Sequence, residues 1–154
     1  MRYTQAPFWT FTRPRSWPSQ ACSFCSYWRG KDKAQYFGNS QWLADLNNVQ
    51  RKNETVRANM ISLNSYMATV ALQDTIVQPS YSAWHTYWEW GDEKREAITP
   101  YNETEGYRTD ALGLQTLDKR GDLILNQFDG AHVSYTMEWW NANVLQMFDN
   151  KLDA

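Results

Sequence analysis

Two polar residues stand where short apolar runs of the sequence end, and both are of types that perform acid–base chemistry. Asp74 follows the run 67–72, and His132 follows the run 123–128. An imidazole changes protonation near neutral pH, so it can take a proton from a hydroxyl and return it to a leaving group. A carboxylate that accepts the other ring N–H fixes the tautomer. The alternative is a solvated turn aspartate and an ordinary loop histidine.

The elements around these residues predict that they meet. The β-branched and apolar run 67–72 predicts a buried strand after a helix at 55–65, and 123–128 predicts a second strand after a helix at 108–118. Thr136 is a plausible N-cap of a last helix whose apolar face holds Met137, Trp140 and Phe148, together with Val144 and Leu145. Alternating helices and strands predict an α/β fold with a parallel sheet, in which functional side chains gather beyond the carboxyl ends of the strands.

A different interpretation follows from the apolar residues between Trp42 and Val77, which recur at spacings of three and four. That pattern is typical of a coiled coil. Asn53 and Asp74 occupy two positions of its apolar seam, and the second half is β-branched. We therefore favour a helix followed by a strand over one long helix.

Composition narrows the classes of partner. The chain has 154 residues and a net charge of −2, with Lys and Arg scattered, so we expect no nucleic-acid partner. No apolar run approaches the roughly 20 residues that cross a bilayer, and no signal peptide is recognisable in residues 1–18.

Cys22 and Cys25 form a C-x-x-C pair without a second ligand pair, which favours free thiols over a metal or redox site. Residues 1–26 are predicted to be an irregular lead-in, and the folded region is predicted at 27–154.

Several segments resemble the palmitoyl-protein thioesterase family. Residues 73–79 are similar to the aspartate segment of that family, 107–114 to the helix before its last strand, and 129–132 to its histidine segment. The likeness runs in order from about Tyr27 to Phe148. It implies a partial α/β-hydrolase fold: the C-terminal strands and helices of a mostly parallel sheet.

The resemblance also implies a function. It indicates a lysosomal or secreted glycoprotein that removes long-chain fatty acyl groups, such as palmitate, from S-acylated cysteines of proteins, with no metal or other cofactor. By matching position, Asp74 would orient the base and His132 would be the base. Asn53 matches a glycosylation position of the family, and Asn102 begins a second Asn-x-Thr sequon.

One departure from the family concerns the nucleophile. No G-x-S-x-G motif, which exposes the serine in such enzymes, occurs in these 154 residues. We therefore expect this chain by itself to be inactive, as a fragment with the acid and base of a triad but no serine. The alternative is a non-catalytic, truncated homologue that acts as a binding module.

Overall fold

The computed structural model describes residues 29–30, 32–40 and 42–148. The α-helices of this part are α1 (Lys33–Asn39), α2 (Leu43–Leu46), α3 (Glu54–Ile61), α4 (Glu105–Arg108), α5 (Leu114–Arg120) and α6 (Met137–Asn143). The strands are β1 (Tyr66–Ala71), β2 (Tyr87–Trp88), β3 (Ile98–Thr99) and β4 (Leu123–Phe128). Short 3₁₀ helices span Ser80–Trp84, Tyr101–Glu103 and Leu145–Met147. The predicted lead-in at 1–26, with Cys22 and Cys25, lies outside the described residues.

The centre of the fold is a parallel pair of strands, β1 and β4, in which Tyr66 is opposite Leu123 and Ala71 is opposite Phe128. The Trp84 indole N–H bridges the two strands by donating to the carbonyls of Ala68 and Asn126, at 3.1 and 2.9 Å. The main core consists of buried apolar residues from β1, α5 and the segment before α5: Ala68, Val70, Ala71, Ala111, Leu114 and Leu117. A strand, a crossover containing helices and a parallel strand form the α/β arrangement that the sequence predicts.

The coiled-coil interpretation of residues 42–77 is wrong, because the segment divides into α2, α3 and β1. Two asparagines cause the first break. Asn48 has a left-handed backbone with φ of 55°, and its buried side chain bonds the Asn53 N–H and the Ala111 carbonyl. Asn53 then caps α3 by accepting from the N–H groups of Thr55 and Val56. The predicted strand is confirmed, one residue earlier than expected.

The prediction of one continuous helix at 108–118 is also wrong. Asp110 has φ of 49° and Gly113 has φ of 86°, so the chain turns between α4 and α5. The Asp110 carboxylate holds this turn by accepting from the Thr116 N–H at 3.1 Å and by pairing with Arg57. A side chain that bonds nearby backbone groups favours a turn over a helix, and this outweighs the loose apolar period.

The last helix agrees with the sequence at its start but not along its length. Thr136 is the N-cap and accepts from the Trp139 N–H at 3.1 Å, as predicted. The helix ends at Asn143, and its predicted apolar face is not buried in the described structure, since Met137 is 68% and Phe148 70% exposed. None of the described helices is long and apolar enough to cross a membrane.

Replacing Gly113 with alanine is expected to destabilise the fold by about 2–4 kcal/mol. A Cβ there would lie 2.2 Å from Ile61 Cγ2, on a backbone with φ of 86°. Gly121→Ala is the matched control, because Gly121 has φ of 81° but no atom near its Cβ position. The Gly121→Ala substitution should lower the free energy of unfolding by only about 1 kcal/mol. Urea unfolding measures both, and equal losses would show that the contact with Ile61 contributes nothing.

Candidate active site

The structure brings Asp74 and His132 together, as the placement of both residues after strands predicts. Asp74 Oδ2 lies 2.8 Å from His132 Nδ1. Backbone pairing continues past the strand ends, because the Leu72 N–H donates to the Phe128 carbonyl at 3.0 Å and the Gln73 N–H donates to the Gly130 carbonyl at 2.9 Å. These bonds hold the two loops side by side.

The Asp74 carboxylate is fixed through both oxygens. Its Oδ1 accepts from the N–H groups of Ile76 and Val77 at 2.8 and 2.9 Å, while Oδ2 faces His132. Only 9% of the Asp74 side chain is exposed, compared with 38% for His132. The carboxylate is therefore held from behind by backbone donors and presents one oxygen to the imidazole.

The ionisation of Asp74 depends on opposing effects. Partial burial disfavours the carboxylate, but the hydrogen bonds from His132, Val77 and Ile76 outweigh it and lower the pKa of Asp74 below its ordinary value of 3.8. Asp74 is therefore ionised at neutral pH. An ionised carboxylate only accepts hydrogen bonds, so the proton between the two groups belongs to His132 Nδ1, and a neutral ring leaves Nε2 as the basic nitrogen.

The loop that carries His132 orients the ring through tight local turns. The Ala131 carbonyl accepts from the Ser134 N–H at 3.1 Å and from Ser134 Oγ at 2.8 Å. Val133 has φ of 57° and is 62% exposed. A β-branched residue rarely adopts this left-handed conformation, so the loop directly after His132 is strained.

Aromatic rings pack beside this loop. Tyr135 lies against Trp140 with ring centroids 5.2 Å apart, and Phe128 meets Trp139 at 5.4 Å. The Trp139 indole N–H donates to the Gln127 carbonyl at 3.1 Å, which ties α6 to β4. Exposed Ile76 and Val133 flank the Asp74–His132 pair in the sequence and leave apolar surface next to it.

Two polar contacts of the site have no signal in the sequence. Gln73 Nε2 donates to Asp129 Oδ1 at 2.7 Å and forms a second cross-link between the loops. Gln78 Nε2 donates to the Asp74 carbonyl at 2.6 Å and closes the turn after Asp74. Glutamines of this kind are common in loops, so only the structure identifies them as supports of the site.

The second histidine of the chain and the two predicted glycosylation sites lie away from this pair. His85 Nε2 is 3.0 Å from Tyr66 Oη, at the opposite end of β1, and burial lowers the pKa of His85. Asn53 is exposed at the start of α3, and Asn102 is exposed in the 3₁₀ helix Tyr101–Glu103. Both asparagines are accessible on the described surface.

Comparison with known proteins identifies the family. The sequence model of the family described as palmitoyl protein thioesterase matches residues 8–132 of this chain. Palmitoyl-protein thioesterase 1 of Caenorhabditis elegans is 33% identical over 108 residues, which are 70% of this chain and 36% of that protein. Palmitoyl-protein thioesterase 3 of Dictyostelium discoideum is 30% identical over 118 residues, which are 75% of this chain and 40% of that protein.

The chain thus spans less than half the length of these two relatives. The matched segment includes Asp74 and ends at His132. Since the match covers most of its 154 residues, the chain belongs to the palmitoyl-protein thioesterase family.

Proposed function

We propose that this chain contributes the orienting acid and the general base to an enzyme that removes long-chain fatty acyl groups, such as palmitate, from S-acylated cysteines of proteins. The observation that carries the proposal is the 2.8 Å contact between Asp74 Oδ2 and His132 Nδ1 at the carboxyl ends of two parallel strands. Family membership supports the choice of a thioester as the bond that is cleaved.

In the proposed mechanism, His132 Nε2 takes the proton of a serine hydroxyl as its oxygen attacks the thioester carbonyl. Collapse of the tetrahedral intermediate breaks the C–S bond, and His132 returns the proton to the departing thiolate. Water then attacks the acyl-serine with His132 again acting as base. The C–O bond to the serine breaks, the serine oxygen takes the proton from His132, and the fatty acid is released. Asp74 stabilises the imidazolium each time it forms.

The serine in this proposal comes from outside these 154 residues, which contain no G-x-S-x-G motif. The donors that would stabilise the oxyanion are assigned to that same part of the enzyme. The apolar surface formed by Ile76, Val133 and the rings near Tyr135 is proposed to contact the acyl chain close to the scissile bond.

A lysosomal or secreted location and N-glycosylation belong to the same proposal. Asn53 and Asn102 each begin an Asn-x-Thr sequon, and both are exposed. The Oδ1 atom of Asn53 caps α3, while a glycan would be attached through its Nδ2. Glycosylation at Asn53 is therefore compatible with the helix cap.

The purified chain is expected to release no thiol from a fluorogenic palmitoyl thioester above the rate in buffer. A chimera of the C. elegans relative, in which this chain replaces the matching segment, is expected to hydrolyse the same substrate. Turnover by the chain alone that disappears in His132→Ala would overturn the assignment of the serine to another part of the enzyme. A folded but inactive chimera would overturn the assigned function.

The same experiment addresses the second candidate, a non-catalytic binding module. In that case the folded chain would bind palmitate without hydrolysing thioesters, and the chimera would remain inactive. The exposed apolar side chains in and after the last helix, Met137, Leu145 and Phe148, favour this candidate, because they provide an apolar surface that requires no catalysis.

A further inference from the structure

A cavity lies away from the Asp74–His132 pair. It has a volume of about 390 Å³ between the N-terminal segment of the described chain, the β2–β3 hairpin and α4, and it shares no lining residue with the candidate active site. Its wall includes His85 and Tyr87, and His85 contacts Tyr66 at the start of β1. Asp74 follows the other end of that six-residue strand, roughly 20 Å away.

The cavity contains an arginine held by aromatic rings. The Cζ atom of Arg29 lies 3.5 Å from the centroid of the Trp90 ring and 4.5 Å from that of Tyr87. Its Nη1 donates to the Trp88 carbonyl at 2.9 Å. A guanidinium has five N–H donors, so stacking and one hydrogen bond fix its orientation and leave most of its donors available.

The charge of Arg29 is not balanced by a carboxylate of the described chain. The two glutamates in the cavity wall face two other cations of that wall: Glu105 pairs with Lys33 at 2.6 Å, and Glu103 faces Arg108 at 4.0 Å. Residues 1–28, which precede Arg29, contain no Asp or Glu. Burial lowers the pKa of Arg29 to about 10, so it remains a cation at neutral pH.

We propose that this cavity binds a small organic carboxylate with an apolar body. The free edge of the Arg29 guanidinium would hold the carboxylate through paired N–H donors, a geometry that matches its two oxygens. The rings of Tyr36, Phe37 and Trp90, whose centroids lie within 6.3 Å of one another, would contact the body. The wall holds three cations, Arg29, Lys33 and Arg108, and two glutamates, so one positive charge is unbalanced, and this favours a monoanion over a phosphate dianion.

The experiment measures binding of 4-fluorobenzoate to the purified chain by ¹⁹F NMR line broadening, with neutral 4-fluorobenzamide as the comparison ligand. We expect saturable benzoate binding with a Kd on the order of 1 mM, as suits a ligand of this size. The amide should bind at least about tenfold more weakly, because it lacks the charge that pairs with Arg29. Equal binding of both ligands, or no saturable binding of benzoate, would overturn the proposal.

Variants then locate the site. Arg29→Gln is expected to raise the Kd at least about tenfold, and Arg29→Lys less, since lysine keeps the charge but not the paired donors. Arg51→Gln is the matched control, because Arg51 is exposed and lies outside the cavity wall. His132→Ala should not change benzoate binding; a loss there would place the probe at the candidate active site and overturn the proposal. If Arg29→Gln alters the near-ultraviolet circular dichroism, the substitution has changed the tertiary structure. The proposal is then tested by the comparison of the two ligands on the unmodified chain.

Discussion

Alanine in place of His132 is expected to lower kcat for palmitoyl-thioester hydrolysis at least about a thousandfold in the chimera described above. Without the imidazole, no group takes the serine proton during attack or returns it to the thiolate. The effect should fall on kcat more than on KM, because a base acts in the transition state and contributes little to ground-state binding. Single-turnover kinetics with the palmitoyl thioester separate acylation from release of the fatty acid.

The matched control is His85→Asn, which removes the other histidine of the chain. His85 contacts Tyr66 at the far end of β1, so kcat should stay within about threefold of the unmodified chimera. A His132→Ala enzyme that keeps a tenth or more of the activity would contradict the assignment of the base. Loss of activity in both variants, with intact folds, would show that the assay does not report on the candidate active site.

Asparagine in place of Asp74 is expected to lower kcat by about 10³- to 10⁴-fold at neutral pH while leaving the loops in place. The amide nitrogen can donate to His132 Nδ1, which favours the ring tautomer with its proton on Nε2. That tautomer cannot accept the proton of the nucleophile. If Asp74→Asn kept full activity, Asp74 would be a turn residue and not the orienting acid.

The Asp74→Asn substitution is also expected to change how the stability of the fold depends on pH. The pKa of Asp74 in the folded chain is lowered below 3.8, so its carboxylate stabilises the fold above that pH. This contribution is lost as the pH falls through the folded pKa. Calorimetric melting from pH 6 to pH 2 should therefore show a steeper acid-induced fall in Tm for the unmodified chain than for Asp74→Asn. Parallel curves would contradict the hydrogen-bonding pattern of the carboxylate.

The sequence predicts that Asp74 and His132 meet, because that prediction rests on short-range features of the two strands and on strand direction. A β-branched run before Asp74 and an apolar run before His132 indicate two parallel strands, and the carboxyl ends of such strands meet. The N-cap Thr136 is likewise a local signal, since its hydroxyl bonds an N–H three residues later. In each case the deciding interaction lies within a few residues or follows from strand direction.

Other features depend on partners that no local pattern specifies. Arg29 stacks on Trp90, which is 61 residues away in the sequence, and nothing near either residue indicates that contact. The apolar period after Thr136 determines neither that the last helix ends at Asn143 nor whether another element covers Met137 and Phe148. The break before α5 also has no local signal. It forms because the hydrogen bond between the Thr116 N–H and the Asp110 carboxylate competes with helix formation.

The paired loops beyond β1 and β4 also constrain how such a chain can change in length. Asp74 stands three residues after the end of β1, and His132 stands four residues after the end of β4. Both intervals are bound to each other through backbone hydrogen bonds of Leu72 and Gln73. An insertion or deletion in either interval would shift one functional group by about 3.3 Å relative to the other, whereas the β2–β3 hairpin loop is free of this constraint. Homologous sequences can therefore be screened for a retained acid–base pair by counting these two intervals, before any residue identity is compared.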